Sequence, residues 1–348
     1  MPELDSVYPV DQLVRSIPEM ILKEQISRHV AGMTVIRNAC VEKYVHSGDL
    51  PPSFRSEMHF ARRHVYRMNN VVVNVRTGAC CTENNGFLES YGSLGRWLQA
   101  KPIHRKYGEY FSVNAPVTCI NSTGYAHFIM EELPRLLWAL KQYPELRLIC
   151  PEKIPGYMAD IYSELRKREI LRHDPVAVAA ENILADDFVF TQAEAYSGFW
   201  HKSDIECLRN AFLSSEPSLT KTNVYVSRRL SSRSFGNEAE LEQALSMRGF
   251  QIVFLEKLKF MEQIELFRNA AMLIAPHGAG LANLAWCSPG AKIIEMFTST
   301  VFNDCFARLS SQVLCEHYCL WSKDAGKSGN VAIAEVIAVL DKLGQRLP

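Results

Sequence analysis

The sequence predicts an α/β protein of two doubly wound domains, each a largely parallel sheet covered by helices. Three observations lead there. At 348 residues the chain is long for one core and comfortable for two. From Val117 short apolar runs alternate with helical patterns, the order that parallel strands joined by crossover helices require. The same alternation restarts at Asn223 and repeats more cleanly to Met296.

Taken in order, residues 1–60 are poorly periodic, are broken at Pro51–Pro52, and yield only a helix in Ile21–Glu42. From Asn70 the run VVVNV reads as a strand, and the polar CTENNG after it as a hairpin-like connection. A strand over Val117–Ile120, a helix over Tyr125–Gln142 and a buried strand over Leu146–Cys150 follow. Next come a helix over Tyr157–Glu169 and short strands at Val176–Ala179 and Phe188–Phe190. A polar stretch near Ser214–Lys221, with Pro217, reads as a linker and sets the expected domains at 1–215 and 216–348.

In the second half Asn223–Ser227 is a strand. Asn237 can cap a helix with Glu240 as its third residue, an approximate capping box, and Gly249 ends that helix where a left-handed residue is wanted. Strand Gln251–Leu255, helix Met261–Asn269, strand Met272–Ala275, a glycine turn, a short helix and strand Lys292–Met296 complete the unit. The last helix, Val331–Gly344, follows a glycine loop, with a return to the first domain left open.

Composition narrows the function. With 38 basic and 38 acidic side chains the formal charge is zero, which argues against bulk attraction to nucleic acid or an anionic membrane. The ten cysteines show no zinc-type spacing and read as reduced thiols rather than a disulfide framework. The N-terminal segment lacks the basic and apolar regions of a secretory signal, and no apolar run is long enough to span a membrane. The expectation is a cytoplasmic chain, with a peripheral place at the membrane left open.

The strongest local signal is Leu273–Trp286, where an apolar strand ends in His277-Gly278-Ala279-Gly280 and a helix carrying Asn283 follows at once. Glycines allow close backbone approach, and a new helix offers N–H groups to an anion, so the turn suits a diphosphate. Glu295 lies near the end of the next strand, where a carboxylate can accept hydrogen bonds from both ribose hydroxyls. A structural βα turn is the plain alternative. A dinucleotide-binding oxidoreductase would want a third glycine where Asn283 stands, and a hydrolase would need a Gly-x-Ser-x-Gly elbow that the chain lacks.

Upstream, Arg228 and Arg233 sit at and beyond a strand end, where a guanidinium can neutralise a leaving nucleoside diphosphate; Arg229 alternates to the other side. The competing reading is a solvated basic loop. In the first half His127, Glu131 and Arg135 fall at i, i+4 and i+8 of one helix. This stripe is either a Glu131–Arg135 salt pair with a capping histidine, or the acceptor side of a cleft in which Glu131 or His127 takes a hydroxyl proton.

Together, His127-Phe-Ile-Met-Glu-Glu-Leu-Pro-Arg135, Tyr225-Val-Ser-Arg-Arg229 with Arg233 and Asn237-Glu238, Phe260-Met-Glu-Gln-Ile264, and His277–Asn283 with Ile294-Glu295 resemble glycosyltransferase family 61 in order and spacing. The resemblance runs from Val113 to Ser310. It implies a GT-B fold of two Rossmann-like domains facing a cleft, a nucleotide-sugar donor, usually UDP-linked, and transfer with inversion to a glycan acceptor, as in surface or capsular polysaccharide synthesis. By motif position it implies donor contacts at Arg228, Arg233, Gly278, Gly280, Asn283 and Glu295, and acceptor-facing roles for His127 and Glu131. No cofactor or metal is expected: the chain has no Asp-x-Asp motif, so arginines and a helix N-terminus would take the metal's place. A non-catalytic glycan-binding protein would keep the fold but need not keep these charges.

Overall fold

The computed structural model describes residues 19–21, 33–36, 59–61, 65–78, 80–82, 87–88, 109–111, 115–120, 124–191, 198, 200–213, 220–231, 234–297, 304–321 and 329–344. The chain divides into two compact units, Met1–Ile21 with His59–Ser214, and Leu22–Met58 with Ser215–Pro348. The expected linker largely falls outside the described residues. Three short strands come first: β1 (Glu19–Ile21), β2 (Met33–Ile36) and β3 (His59–Ala61). Residues 33–36 are therefore extended where a helix was expected over Ile21–Glu42. Thr34, Val35 and Ile36 are β-branched, and their backbone pairs with a neighbouring strand of the second unit, a tertiary contact that a local pattern does not reveal.

In the first unit β4 (Val65–Asn74) turns back through Gly78, at φ 72°, into β5 (Cys80–Thr82), which pairs antiparallel with β6 (Phe87–Leu88). Thus Cys81 and Thr82, expected in a turn, are strand; one antiparallel pair is joined through Gly78, and the rest of the expected connection, residues 83–86, links the antiparallel pair β5 and β6. The unit continues with β7 (Glu109–Phe111), β8 (Val117–Cys119) and a helix in three parts: α1 (Tyr125–His127), a π-helical turn (Phe128–Glu132) and α2 (Leu133–Gln142). Then follow β9 (Arg147–Pro151), α3 (Gly156–Lys167), β10 (Val176–Val178), β11 (Asn182–Thr191) and α4 (Lys202–Phe212). The strand order is β10-β9-β8-β11-β4-β5-β6, with β7 also on β11. Strands β10, β9, β8 and β11 run parallel, while β4 joins β11 antiparallel over residues 182–191. Val71, Val73, Val117, Ile149, Ile183 and Phe188 lie in one buried cluster on this sheet.

The second unit holds β12 (Thr222–Val226), α5 (Glu238–Ser246), β13 (Phe250–Val253), α6 (Phe260–Arg268) and β14 (Ala270–Pro276). A 3₁₀ helix (Ala279–Trp286), β15 (Lys292–Phe297), α7 (Cys305–Gln312), β16 (Glu316–Trp321) and α8 (Ile333–Lys342) complete it. The order β13-β12-β14-β15-β16-β2 is parallel throughout. Helix α8 packs on this sheet, with Val336, Val339 and Leu340 in the same core as Tyr225, Leu241 and Ile294. Gly249 takes φ 78°, as the helix end requires. Asn237, however, makes no capping bond. Its amide nitrogen donates to the carbonyl of Val331 and its oxygen accepts from the Val331 N–H, both at 2.9 Å.

In both sheets the chain reverses its direction of travel. From β8 it moves outward to β9 and β10, then returns to the other side of β8 as β11. From β12 it moves to β13, then returns to the other side of β12 as β14. Crossovers leave opposite faces at such a point, so a crevice opens at the carboxyl ends of the two diverging strands. Arg228 follows β12, and His277 follows β14.

Candidate active-site residues in the two units

In the second unit the loop after β12 is shaped by one buried carboxylate. Glu238, 1% exposed, accepts from Tyr225 Oη at 3.0 Å, Ser227 Oγ at 3.2 Å, the Arg228 N–H at 2.5 Å and the Phe235 N–H at 3.1 Å. Four donors on one carboxylate offset its desolvation and fix the backbone from which Arg228 projects. The Arg228 guanidinium donates from Nη1 to the carbonyl of His277 at 2.6 Å. It lies flat against Gly278: a Cβ there would stand 2.8 Å from Cζ and closer still to Nη1. Gly278 is extended (φ 168°, ψ 174°), so the absent side chain serves this approach and not the backbone conformation. Gly280 has a similar reason, since a Cβ would stand 2.7 Å from Leu255 Cδ1. Arg229, half exposed, points elsewhere, to Glu242 at 3.0 Å and over Phe254. Arg233 lies outside the described residues.

His277 and Glu295 meet directly. Nδ1 of His277 is 2.5 Å from Oε1 of Glu295, and Nε2 of His317 is 3.0 Å from Oε2. Glu295 is fully enclosed, and its two oxygens are both engaged by imidazoles, so the ribose contact expected of it does not match its setting. Burial would raise its pKa, but the hydrogen bonds and charge of His277 and His317 outweigh that and hold it below the usual carboxylate range. His277 is 27% exposed, is stacked on Phe297 with ring centroids 5.0 Å apart, and leans on Phe306. Its ring is held on one side by a charge and on two others by aromatic packing.

The 3₁₀ helix begins at Ala279, directly behind this corner. Asn283 is also fully buried: its amide donates to Gln263 Oε1 at 2.9 Å and to the Gly280 carbonyl at 3.1 Å, and its oxygen accepts from Trp286 Nε1. It holds the loop in place from inside, where the sequence suggested a ligand contact. Gln263 in turn ties α6 to the carbonyls of Leu255 and Leu258.

In the first unit His127 and Glu131 lie on the helix that follows β8. Nδ1 of His127 is 3.0 Å from Oε1 of Glu131; the histidine is half exposed and the glutamate largely covered. The expected Glu131–Arg135 pair does not form. Pro134 has no N–H for the Met130 carbonyl, and the helix absorbs it by a π turn in which the Leu133 N–H bonds to the Phe128 carbonyl. That widened turn rotates Arg135 off the stripe. Arg135 is buried, pairs with Glu132 at 3.0 Å, donates to the Thr191 carbonyl at 2.6 Å and lies over the Phe190 ring. It anchors the helix to β11.

Sequence reasoning missed Glu132, Ser310 and His317. For His317 a signal existed: Tyr318-Cys-Leu-Trp321 is a run of strand formers, and a histidine at its head is a polar group entering a core. Among the described side chains Cys80, Cys119, Cys150, Cys207, Cys287, Cys305, Cys315 and Cys319 are free thiols, as the reduced reading holds. No helix among the described residues is long and apolar enough to cross a membrane. No curated protein matches the chain. The family model described as Glycosyltransferase 61 matches residues 125–294, a span that opens on the helix of His127 and Glu131 and closes one residue short of Glu295. The switch point of the second sheet lies inside that span, and the match supports assignment to glycosyltransferase family 61 and indicates a sugar-transferring enzyme.

Proposed function

We propose that this enzyme moves a sugar from a nucleotide donor, UDP-linked, to a hydroxyl of a glycan acceptor with inversion and without a metal ion, in surface or capsular polysaccharide synthesis in the cytoplasm. The observation that carries the donor half is the corner where Arg228 rests on the His277 carbonyl against Gly278, at the switch point of a parallel sheet. A guanidinium and the opening N–H groups of a 3₁₀ helix at Ala279 and Gly280 suit a diphosphate there. Asn283 and Glu295 support the corner from within, and Arg233 belongs to the same reading by its place in the sequence.

For the acceptor half, Glu131 is the general base, with His127 hydrogen-bonded to it and Arg135 supporting the helix through Glu132. The reading includes the GT-B arrangement, two Rossmann-like domains facing a cleft, since an inverting transfer needs base and diphosphate ligands on opposite sides of the sugar. Calorimetry with UDP in the presence of chelator tests it. Binding heat should persist. Absence of any UDP binding would defeat the donor site, and heat abolished by chelator would defeat the metal-free reading.

A further inference from the structure

Beneath His277 a line of polar groups crosses three elements. Ser310 Oγ on α7 is 2.8 Å from His317 Nδ1 on β16; His317 Nε2 is 3.0 Å from Glu295 Oε2 on β15; and Glu295 Oε1 is 2.5 Å from His277 Nδ1. Ser310, His317 and Glu295 are at most 1% exposed. An ionised Glu295 accepts from His277 Nδ1–H and His317 Nε2–H, and wherever His317 Nδ1 carries no proton it accepts from Ser310 Oγ–H. His317 is thereby used at both nitrogens. His277 has Nε2 left over, and that nitrogen makes no bond among the described residues.

Such a construction exceeds what the turn itself needs. The backbone of His277 is already fixed by its N–H to the Met296 carbonyl at 2.7 Å and by its carbonyl to Arg228. A buried carboxylate on Nδ1 fixes the tautomer of an imidazole and stabilises its protonated form, which lets the outer nitrogen move a proton. Arg228 bonds to the carbonyl of the same histidine, so an anion held by that arginine, as proposed above, would be a natural destination for the proton.

We propose that His277 donates a proton from Nε2 to the departing diphosphate, and that Glu295, His317 and Ser310 are positioning residues that fix its tautomer and stabilise its imidazolium. This rests on the reading of the Arg228 corner as the diphosphate site. In the transfer the bond between the anomeric carbon and the β-phosphate oxygen breaks, and its electron pair stays on that oxygen, which takes the Nε2 proton. The acceptor oxygen forms the new bond to the anomeric carbon and releases its own proton to the base. Solvent then returns a proton to His277 and removes one from the base, so the cycle balances.

The groups that face this line are Glu295 from β15, His317 and Cys319 from β16, and Arg228 after β12. From α7 and its start come Asp304, Cys305 and Arg308. Burial pushes the thiols of Cys305 and Cys319 up, so they stay neutral near pH 7.

UDP is the probe, in calorimetry repeated in buffers of different ionisation heat, which counts the protons taken up on binding. Near neutral pH the wild-type protein should take up more protons than His277→Gln, with a difference approaching about one. Glu295→Gln should bind UDP with the midpoint of that uptake moved lower by about one pH unit or more, because the imidazolium has lost its counter-charge. Ser310→Ala, a milder change, should move it the same way by less and serves where Glu295→Gln does not fold. Equal proton counts for wild type and His277→Gln overturn the proposal. An unmoved midpoint in Glu295→Gln and Ser310→Ala overturns the positioning roles, and wild-type protein that binds no UDP removes the donor reading on which all of it stands.

Discussion

Adding one methyl group at Gly278 tests the donor corner with little disturbance elsewhere. Alanine adopts the extended backbone of Gly278 without strain, so Gly278→Ala has no conformational cost of its own. The new Cβ would stand 2.8 Å from Arg228 Cζ, inside contact distance, and the far end of a long side chain can swing clear only by leaving the His277 carbonyl. The fold loses one partly exposed hydrogen bond, about 1 kcal/mol or less. Binding loses more. A charge-assisted hydrogen bond to a phosphate is worth roughly 1.5–3 kcal/mol, which converts to roughly a 10- to 150-fold weaker Kd for UDP. Calorimetry on wild type, Gly278→Ala, Arg228→Ala and the double variant separates the causes. If the methyl acts through the arginine, the double variant binds UDP no more weakly than Arg228→Ala alone. Additive losses, or a Gly278→Ala protein with wild-type affinity, would refute the reasoning.

Two further outcomes follow from groups elsewhere. Glu131→Gln keeps size and hydrogen bonding but not proton affinity, so turnover should fall by a factor of about 10² to 10⁴ with UDP affinity within about threefold; near-normal turnover would return Glu131 to a structural pair with His127. Asp304 is pushed up from 3.8 to about 6 because burial outweighs its pairing with Arg308. A folded-state pKa above the unfolded one gives stability that is present below about pH 4 and lost as pH rises through 6, on the order of 3 kcal/mol at 1.36 kcal/mol per pH unit. Denaturant titrations should therefore find Asp304→Asn more stable than wild type at pH 8 and level with it at pH 4, and a gap independent of pH would contradict this.

What the sequence disclosed and what it withheld have separate physical sources. Strand β14 was legible because both faces are buried and the apolar run is unbroken, and Gly249 because a left-handed residue leaves a mark in one letter. The turn of His277–Gly280 was legible because its two glycines mark close approaches, which here are those of Arg228 and Leu255. Arg135 was misread because one proline inserts a wide turn, and a helical stripe counted at 3.6 residues per turn does not survive it. Glu295 was placed correctly on its strand but given the wrong neighbours. Its partners come from positions 18 and 22 residues away, on two other elements, and no periodicity encodes which side of a buried strand end meets them. Asn237 shows the same limit in small: a good capping residue is claimed by a backbone 94 residues distant.

That last contact also bears on when this unit can exist during synthesis. The segment that carries Arg228 is steadied through Asn237 and the Gly236 N–H, which bond to Val331 and to the Gly329 carbonyl, and the sheet core is closed by Val336 and Leu340 of α8. A nascent chain halted between residues 322 and 328 has made every strand from β12 to β16 yet lacks the clasp and the last wall of the core. The Arg228 loop thus reaches its working shape only after α8 has emerged, and until then the ribosome presents a half-covered apolar sheet of the kind that chaperones engage.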